Sequence, residues 1–260
     1  MIKRWCRIVI SGVILVSSVL VYNIFAQEHS AKAIMDKVFT RYDGDDSYSE
    51  VEMVLLDKKG YERKRQLEIY TKDYGKLIKT YIKFTEPADI RGTAFLSIEN
   101  EGKDNTQYLY LPALGRARRI VSSQKKLRFV NTDYTYEDMQ RRRPEDDKHM
   151  FLREEACGQG ETCAVIESVP KNNSQYTKRI NWVDRNKELI LRTDFYGRNG
   201  RMIKRFKVLS MKKIDNIWTA VDVIMEDFTN NHKTELKIES ISYNQGISDE
   251  MFSLRVLEKD

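Results

Sequence analysis

The chain has 260 residues and a formal charge of +6. Three of its positive charges, Lys3, Arg4 and Arg7, sit at the extreme N-terminus; the remainder holds 42 basic against 39 acidic side chains, a net of +3. Both signs are interspersed along the chain, which describes a solvated outer face and excludes a nucleic-acid footprint.

Lys3, Arg4 and Arg7 precede an uncharged, mostly apolar run from Ile8 to Ala26, and polar composition returns at Gln27 and Glu28. This is the layout of a secretory signal peptide over residues 1–26, with a cut after Ala26; an uncleaved signal-anchor is the alternative. Export places residues 27–260 in the periplasm as a single domain. Ile34, Met35, Val38 and Phe39 fall on one face of a helix over Ala31 to Tyr42, which Gly44 ends.

From Tyr48 the pattern switches to period two. Val51, Met53 and Leu55 alternate with Glu50 and Glu52, and Leu67 and Ile69 with Gln66 and Glu68. The same alternation places Ile78, Ile82 and Phe84 on one face. It recurs at Ile180 and Trp182, at Leu189, Leu191 and Phe195, at Phe206 and Val208, at Val221, Val223 and Met225, and at Leu236 and Ile238. Such alternation predicts antiparallel sheet with one buried and one wet face. Short turns at Asp57 to Gly60, Asn199-Gly200, Asp215-Asn216 and Asn230-Asn231 predict hairpins. No helical period of crossover length separates the strands, which argues against a parallel α/β fold.

Between the two halves lies the densest motif. Tyr108 and Tyr110 lead through Pro112 and Gly115 into Arg116, Arg118 and Arg119. Then Phe129, Thr132, Asp133, Tyr134, Thr135, Tyr136, Glu137 and Asp138 follow in order. This pairing resembles the outer-membrane-lipoprotein-sorting branch of the LolA/LolB-like superfamily, with its "YLPA…RR" strand and "F-x-G-[ST]-D-[FY]-[ST]-Y-E-D" segment. One position departs: Asn131 stands where the family has Gly, and Asn tolerates the left-handed backbone such a turn needs.

The resemblance implies a half-open antiparallel β-barrel, a strongly curved single sheet with a helical lid on its concave face. It implies a carrier that binds lipid or lipoprotein acyl chains in an apolar cavity and moves them between membranes, served by an inner-membrane transporter of RND or MMPL type. A lipid- or lipoprotein-sensing module, as in RseB-like proteins, and a ligand-free structural envelope protein are the alternatives.

The tyrosines Tyr108, Tyr110, Tyr134 and Tyr136 are candidates for a cavity mouth, with apolar rings and polar tips. Arg116, Arg118 and Arg119 are candidates to latch Asp133, Glu137 and Asp138, a contact able to open around cargo. The residues themselves also allow a plain reading, with Thr132 or Asp133 capping a short helix from Tyr134 to Arg141. Short helix is also expected at Ser248 to Phe252. Arg141, Arg142 and Arg143 form a further basic cluster able to touch anionic lipid or a partner.

Enzyme signatures are missing. His29, His149 and His232 have no metal-ligand spacing, and there is no HExxH, no G-x-S-x-G elbow and no Gly-rich phosphate loop. No catalytic residue, metal or cofactor is expected. Cys6 would leave with the signal, and Cys157 and Cys163 flank a glycine-bearing turn. In an oxidising compartment this even pair predicts a disulfide, with Cα atoms within about 7 Å.

Overall fold

The computed structural model describes residues 30–158 and 160–259; the expected signal segment lies outside them. Helix α1 spans residues 30–40. Thirteen strands follow. The first six are β1 Asp46–Leu56, β2 Glu62–Asp73, β3 Ile78–Glu86, β4 Ala94–Ile98, β5 Thr106–Leu111 and β6 Arg116–Arg119. The other seven are β7 Asp147–Ala156, β8 Thr162–Pro170, β9 Lys178–Asp184, β10 Leu189–Tyr196, β11 Met202–Ile214, β12 Ile217–Asp227 and β13 His232–Tyr243. A 3-10 turn at Asp249–Phe252 and a short helix α2 at Leu254–Leu257 close the chain.

All strands join one antiparallel sheet in the order β6-β5-β4-β3-β2-β1-β13-β12-β11-β10-β9-β8-β7. The sheet is strongly curled and not closed. Its hairpins use the expected turn residues: Asp215 and Asn216 both take positive φ, 49° and 65°, as a two-residue turn between twisted strands requires.

This order has a direct topological consequence. β6 and β7 are consecutive in the chain yet form opposite edges of the sheet. Residues 120–146 must therefore cross from one edge to the other, and they do so over the concave face. Phe129, Tyr134 and Tyr136 from this crossing pack in the main core with Val51, Met53, Leu67, Ile82, Phe84 and Phe95. The crossing acts as a plug over the first half of the sheet. Its backbone turns at Val130 and Asn131, with φ of 45° and 62°. Asn accepts this region readily, whereas a β-branched residue is strained there. The buried Arg65 holds Val130 in place by donating from Nη1 to its carbonyl oxygen at 2.7 Å.

The expected short helix from Tyr134 to Arg141 does not form; these residues make turns. The reason is local. Asp138 turns its carboxylate back onto the amide and hydroxyl of Thr135, both at 2.8 Å, and closes a turn instead of starting a helix.

The other half of the concave face is covered by α1. Ala31, Ile34, Met35 and Val38 pack on Phe151, Ala164, Ile166, Val183 and Ile190. The outer face is covered over β3 to β5, where Phe252 and Leu257 of the C-terminal tail pack on Tyr81, Leu96 and Tyr110. A further outer cluster joins Cys163, Val165, Ile180, Trp182 and Leu191. β9 is accordingly buried along almost its whole length. The alternation of Ile180 and Trp182 with Arg179 and Asn181 predicts one buried and one wet face for β9; instead both faces are buried. The two polar residues point inward and the apolar pair packs outward.

Candidate functional site

The crossing segment is pinned at three carboxylates. Asp133 is 0% exposed. It accepts from Arg128 Nη2 at 3.0 Å and from the Thr234 hydroxyl at 2.6 Å, and His232 Nδ1 stands 2.6 Å away. Its backbone amide donates to the same Thr234 oxygen at 3.0 Å. Lys204 donates to the Asp133 carbonyl at 2.7 Å and to Asp138 at 3.1 Å. Tyr176 donates to Asp138 at 2.7 Å. Glu137 takes the Ser174 hydroxyl and the Gln175 amide, with Arg179 at 3.5 Å.

The arginines expected as latches are elsewhere. Arg116, Arg118 and Arg119 lie exposed on the edge strand β6 and make no ion pair with Asp133, Glu137 or Asp138 among the described residues. Arg128, Lys204 and Arg179 take that place. Only the last two come from strands distant in sequence, which is why local charge patterning did not reveal them. Tyr108 and Tyr110 also depart from expectation. They pack on the outer face beneath the C-terminal tail. Their neighbour Gln107 faces inward instead and donates to the Tyr136 carbonyl at 3.0 Å.

Beyond the plug, the second half of the concave face is not filled. A cavity of about 760 Å³ lies between α1, the turn carrying Arg141 to Asp147 and strands β8 to β12. Met35, Val38 and Phe39 line it from the helix, and Phe195, Phe206 and Met225 from the sheet. Of the sequence candidates, Tyr134, Glu137 and Asp138 reach this cavity, while Asp133 and Tyr136 are built into the packed core beside it. Burial, with Asp138 and Asp133 nearby, pushes the Tyr134 phenol well above its ordinary value, so it stays neutral.

The cavity floor carries a polar ladder across four adjacent strands. Thr193 donates to Asn181 Oδ1 at 2.9 Å, and Asn181 Nδ2 donates to Ser168 Oγ at 2.9 Å. Ser168 is 2.8 Å from His149 Nδ1, and His149 Nε2 is 2.8 Å from the Pro144 carbonyl. A carbonyl only accepts, so Nε2 carries the proton and Nδ1 accepts from Ser168. Burial depresses the His149 pKa, consistent with this neutral form. Beside the ladder, Arg179 is buried between Asp147 at 3.2 Å and Glu137. Burial and the nearby Arg142 charge pull it below its usual value, and the two carboxylates oppose this.

This arrangement offers a slot with apolar walls from α1 and the sheet, a hydrogen-bonded polar floor and a charged rim at Arg141 to Asp147. Ser168 and His149 are both buried within this ladder. Among the described residues no group of acidic, histidine or cysteine side chains could hold a metal. Cys157 and Cys163 are joined as a disulfide, with Cα atoms 5.7 Å apart.

A curled, unclosed antiparallel sheet with a helix laid over its partly filled concave face defines a LolA-like half-barrel. A family model described as "Uncharacterized protein" matches residues 76–259, and no curated protein matches the chain. Solved structures match well. A DUF1329 family protein from Desulfovibrio piger shares 28% identity over 89% of this chain and 99% of its own, with a TM-score of 0.84. A domain described as an outer membrane lipoprotein-sorting protein, from Vibrio parahaemolyticus, has the same identity and TM-score and is covered over 100% of its length. A LolA superfamily protein from Nitrosomonas europaea shares the fold, at 21% identity and a TM-score of 0.66 over 86% of this chain and 97% of its own. The chain belongs to the LolA/LolB-like superfamily, in its outer-membrane-lipoprotein-sorting branch.

Proposed function

We propose that this chain is a periplasmic carrier that binds lipid or lipoprotein acyl chains and moves them between membranes, and that it is a binding protein without enzymatic activity. The observation that carries this reading is the cavity of about 760 Å³ under α1, a size within the usual range for small-molecule sites. An acyl chain lying along Phe195, Phe206 and Met225 would gain roughly 0.8 kcal/mol per buried methylene. The signal-like N-terminus and the Cys157–Cys163 bond support a periplasmic setting. An inner-membrane exporter of RND or MMPL type is the supplier that the family resemblance suggests.

The test is to purify the protein from its own cells, extract bound lipid for mass spectrometry, and measure binding of a fluorescent fatty acid. Recovery of acylated molecules and competition with the probe are expected. Absence of both would refute the carrier reading.

A further inference from the structure

The sheet edge at β6 combines two features that the cavity does not use. Between Asp104 and Asp133 the sequence has no carboxylate and six basic residues: Arg116, Arg118, Arg119, Lys125, Lys126 and Arg128. Lys125 pairs with Asp104, and Arg128 with Asp133 and Asp227. The other four are exposed and make no ion pair among the described residues. Interleaved with them are three protruding apolar side chains, Leu114, Val121 and Leu127, exposed by 48%, 51% and 52%.

Leu114 lies in the turn before β6. Val121 and Leu127 lie just after it, where the chain sets out across the concave face. Along the chain these apolar residues are separated by basic ones: Arg116, Arg118 and Arg119 between the first two, Lys125 and Lys126 between the last two. An arginine-rich edge also resists addition of another strand, and one of its outward amides, that of Ala117, is already bonded to Glu258 Oε1 at 2.8 Å. Apolar tips among unpaired cations suit a surface that accepts both without fixed shape: lipid headgroups for the guanidinium groups and the acyl boundary for the leucine and valine side chains.

We propose that the β6 edge, from Leu114 to Leu127, is a docking surface for an anionic lipid bilayer. The crossing segment begins at this edge, so a docked bilayer would meet the same stretch of chain that plugs the concave face. The inference is separate from the cargo: the edge can dock whether or not the cavity takes lipid.

The test is cosedimentation of the protein, purified from its own cells, with vesicles of pure phosphatidylcholine and with vesicles containing phosphatidylglycerol. Binding should require the anionic lipid and weaken with salt. At roughly fivefold in affinity per cationic side chain near an anionic surface, the Arg116→Glu/Arg119→Glu variant should bind at least about 25-fold more weakly. Leu114→Ser/Val121→Ser should weaken binding while keeping the salt dependence. Lys58→Glu/Lys59→Glu, an equal charge change in the exposed β1–β2 turn, should bind nearly as the parent does. Binding that ignores phosphatidylglycerol, or that falls equally for the lysine and arginine variants, would overturn the proposal. So would absence of vesicle binding, which would leave an acidic protein as the partner of this edge. Thermal melts of each variant separate lost docking from lost fold, and the salt dependence of the parent protein tests the proposal even if a variant fails to fold.

Discussion

The Arg141 guanidinium lies 4.1 Å over the ring of Phe39, and this contact ties the last turn of α1 to the turn that closes the other side of the cavity. The same guanidinium bonds Glu99 at 2.9 and 3.2 Å and reaches the carbonyl oxygens of Lys76 and Phe39. One side chain thus joins helix, turn and sheet at the cavity rim. Arg141→Lys keeps the charge for Glu99 but loses the planar stack and the fork. It should speed release of a bound fluorescent fatty acid several-fold in stopped flow, with little change in melting temperature. Equal release rates would show that α1 is not a gate.

Asp133 was expected to be a surface latch, and its burial changes the forecast. A surface pair contributes roughly 0–1 kcal/mol, but Asp133 is sealed among Arg128, His232 and Thr234. Its removal takes the acceptor from the buried Thr234 hydroxyl and from His232, while the part-exposed Arg128 keeps Asp227, so the cost is that of unsatisfied buried polar groups, about 1–3 kcal/mol. Asp133→Ala should therefore lower the midpoint of urea unfolding. A change below about 1 kcal/mol would mean that water reaches the site.

The contrast shows what the sequence could and could not reveal. Period two found the strands, because each carries its own alternation, and the Asp215-Asn216 and Asn199-Gly200 turns marked the hairpins. The face of each strand was less legible. In β9 the residues Arg179 and Asn181 read as solvent-facing, because polarity normally means water. Here it means a polar cavity floor, satisfied by Asp147 and Ser168 from other strands. The lid face of α1 was visible as a helical stripe, but nothing local said that Met35 and Phe39 would roof a cavity. Asp133 to Asp138 read as a segment latched by Arg116, Arg118 and Arg119 because those charges lie near it in sequence, and only the strand order shows that the link between β6 and β7 must run inside.

His149 gives a pH dependence with a definite sign. Its folded pKa lies below the ordinary histidine value of 6.5 because burial disfavours the charged ring. Below pH 6.5 the unfolded chain therefore binds the proton more readily than the folded one, and stability falls as pH drops through that range. His149→Gln should flatten the dependence of melting temperature between about pH 7.5 and 5.5 relative to the parent protein. Parallel curves would mean that protonated His149 finds a partner in the folded state.

The Cys157–Cys163 bond closes a short loop between β7 and β8. Loop-closure entropy gives roughly 2 kcal/mol for so small a ring. The Cys157→Ser/Cys163→Ser variant should melt several degrees lower and keep its sheet by far-ultraviolet circular dichroism. No shift in melting would show that the outer cluster around Trp182 holds this hairpin by itself.

The strongest test of the cavity is to fill it. Met35 faces the slot from α1 and is only partly buried, so a larger side chain there can enter the empty volume without forcing strands apart. Filling space that water or ligand would otherwise occupy adds apolar burial, at about 25 cal/mol per Å², and so should not destabilise the fold. Met35→Trp should weaken fluorescent fatty acid binding by about tenfold, the loss of roughly 1.4 kcal/mol of contact, while the melting temperature holds or rises. A second depression on the outer face, near Trp182, Trp218 and the disulfide, gives the alternative outcome its meaning. If Met35→Trp binds the probe as tightly as the parent while Leu191→Trp does not, the acyl chain sits on the outer face, and the space under α1 is not the carrier site.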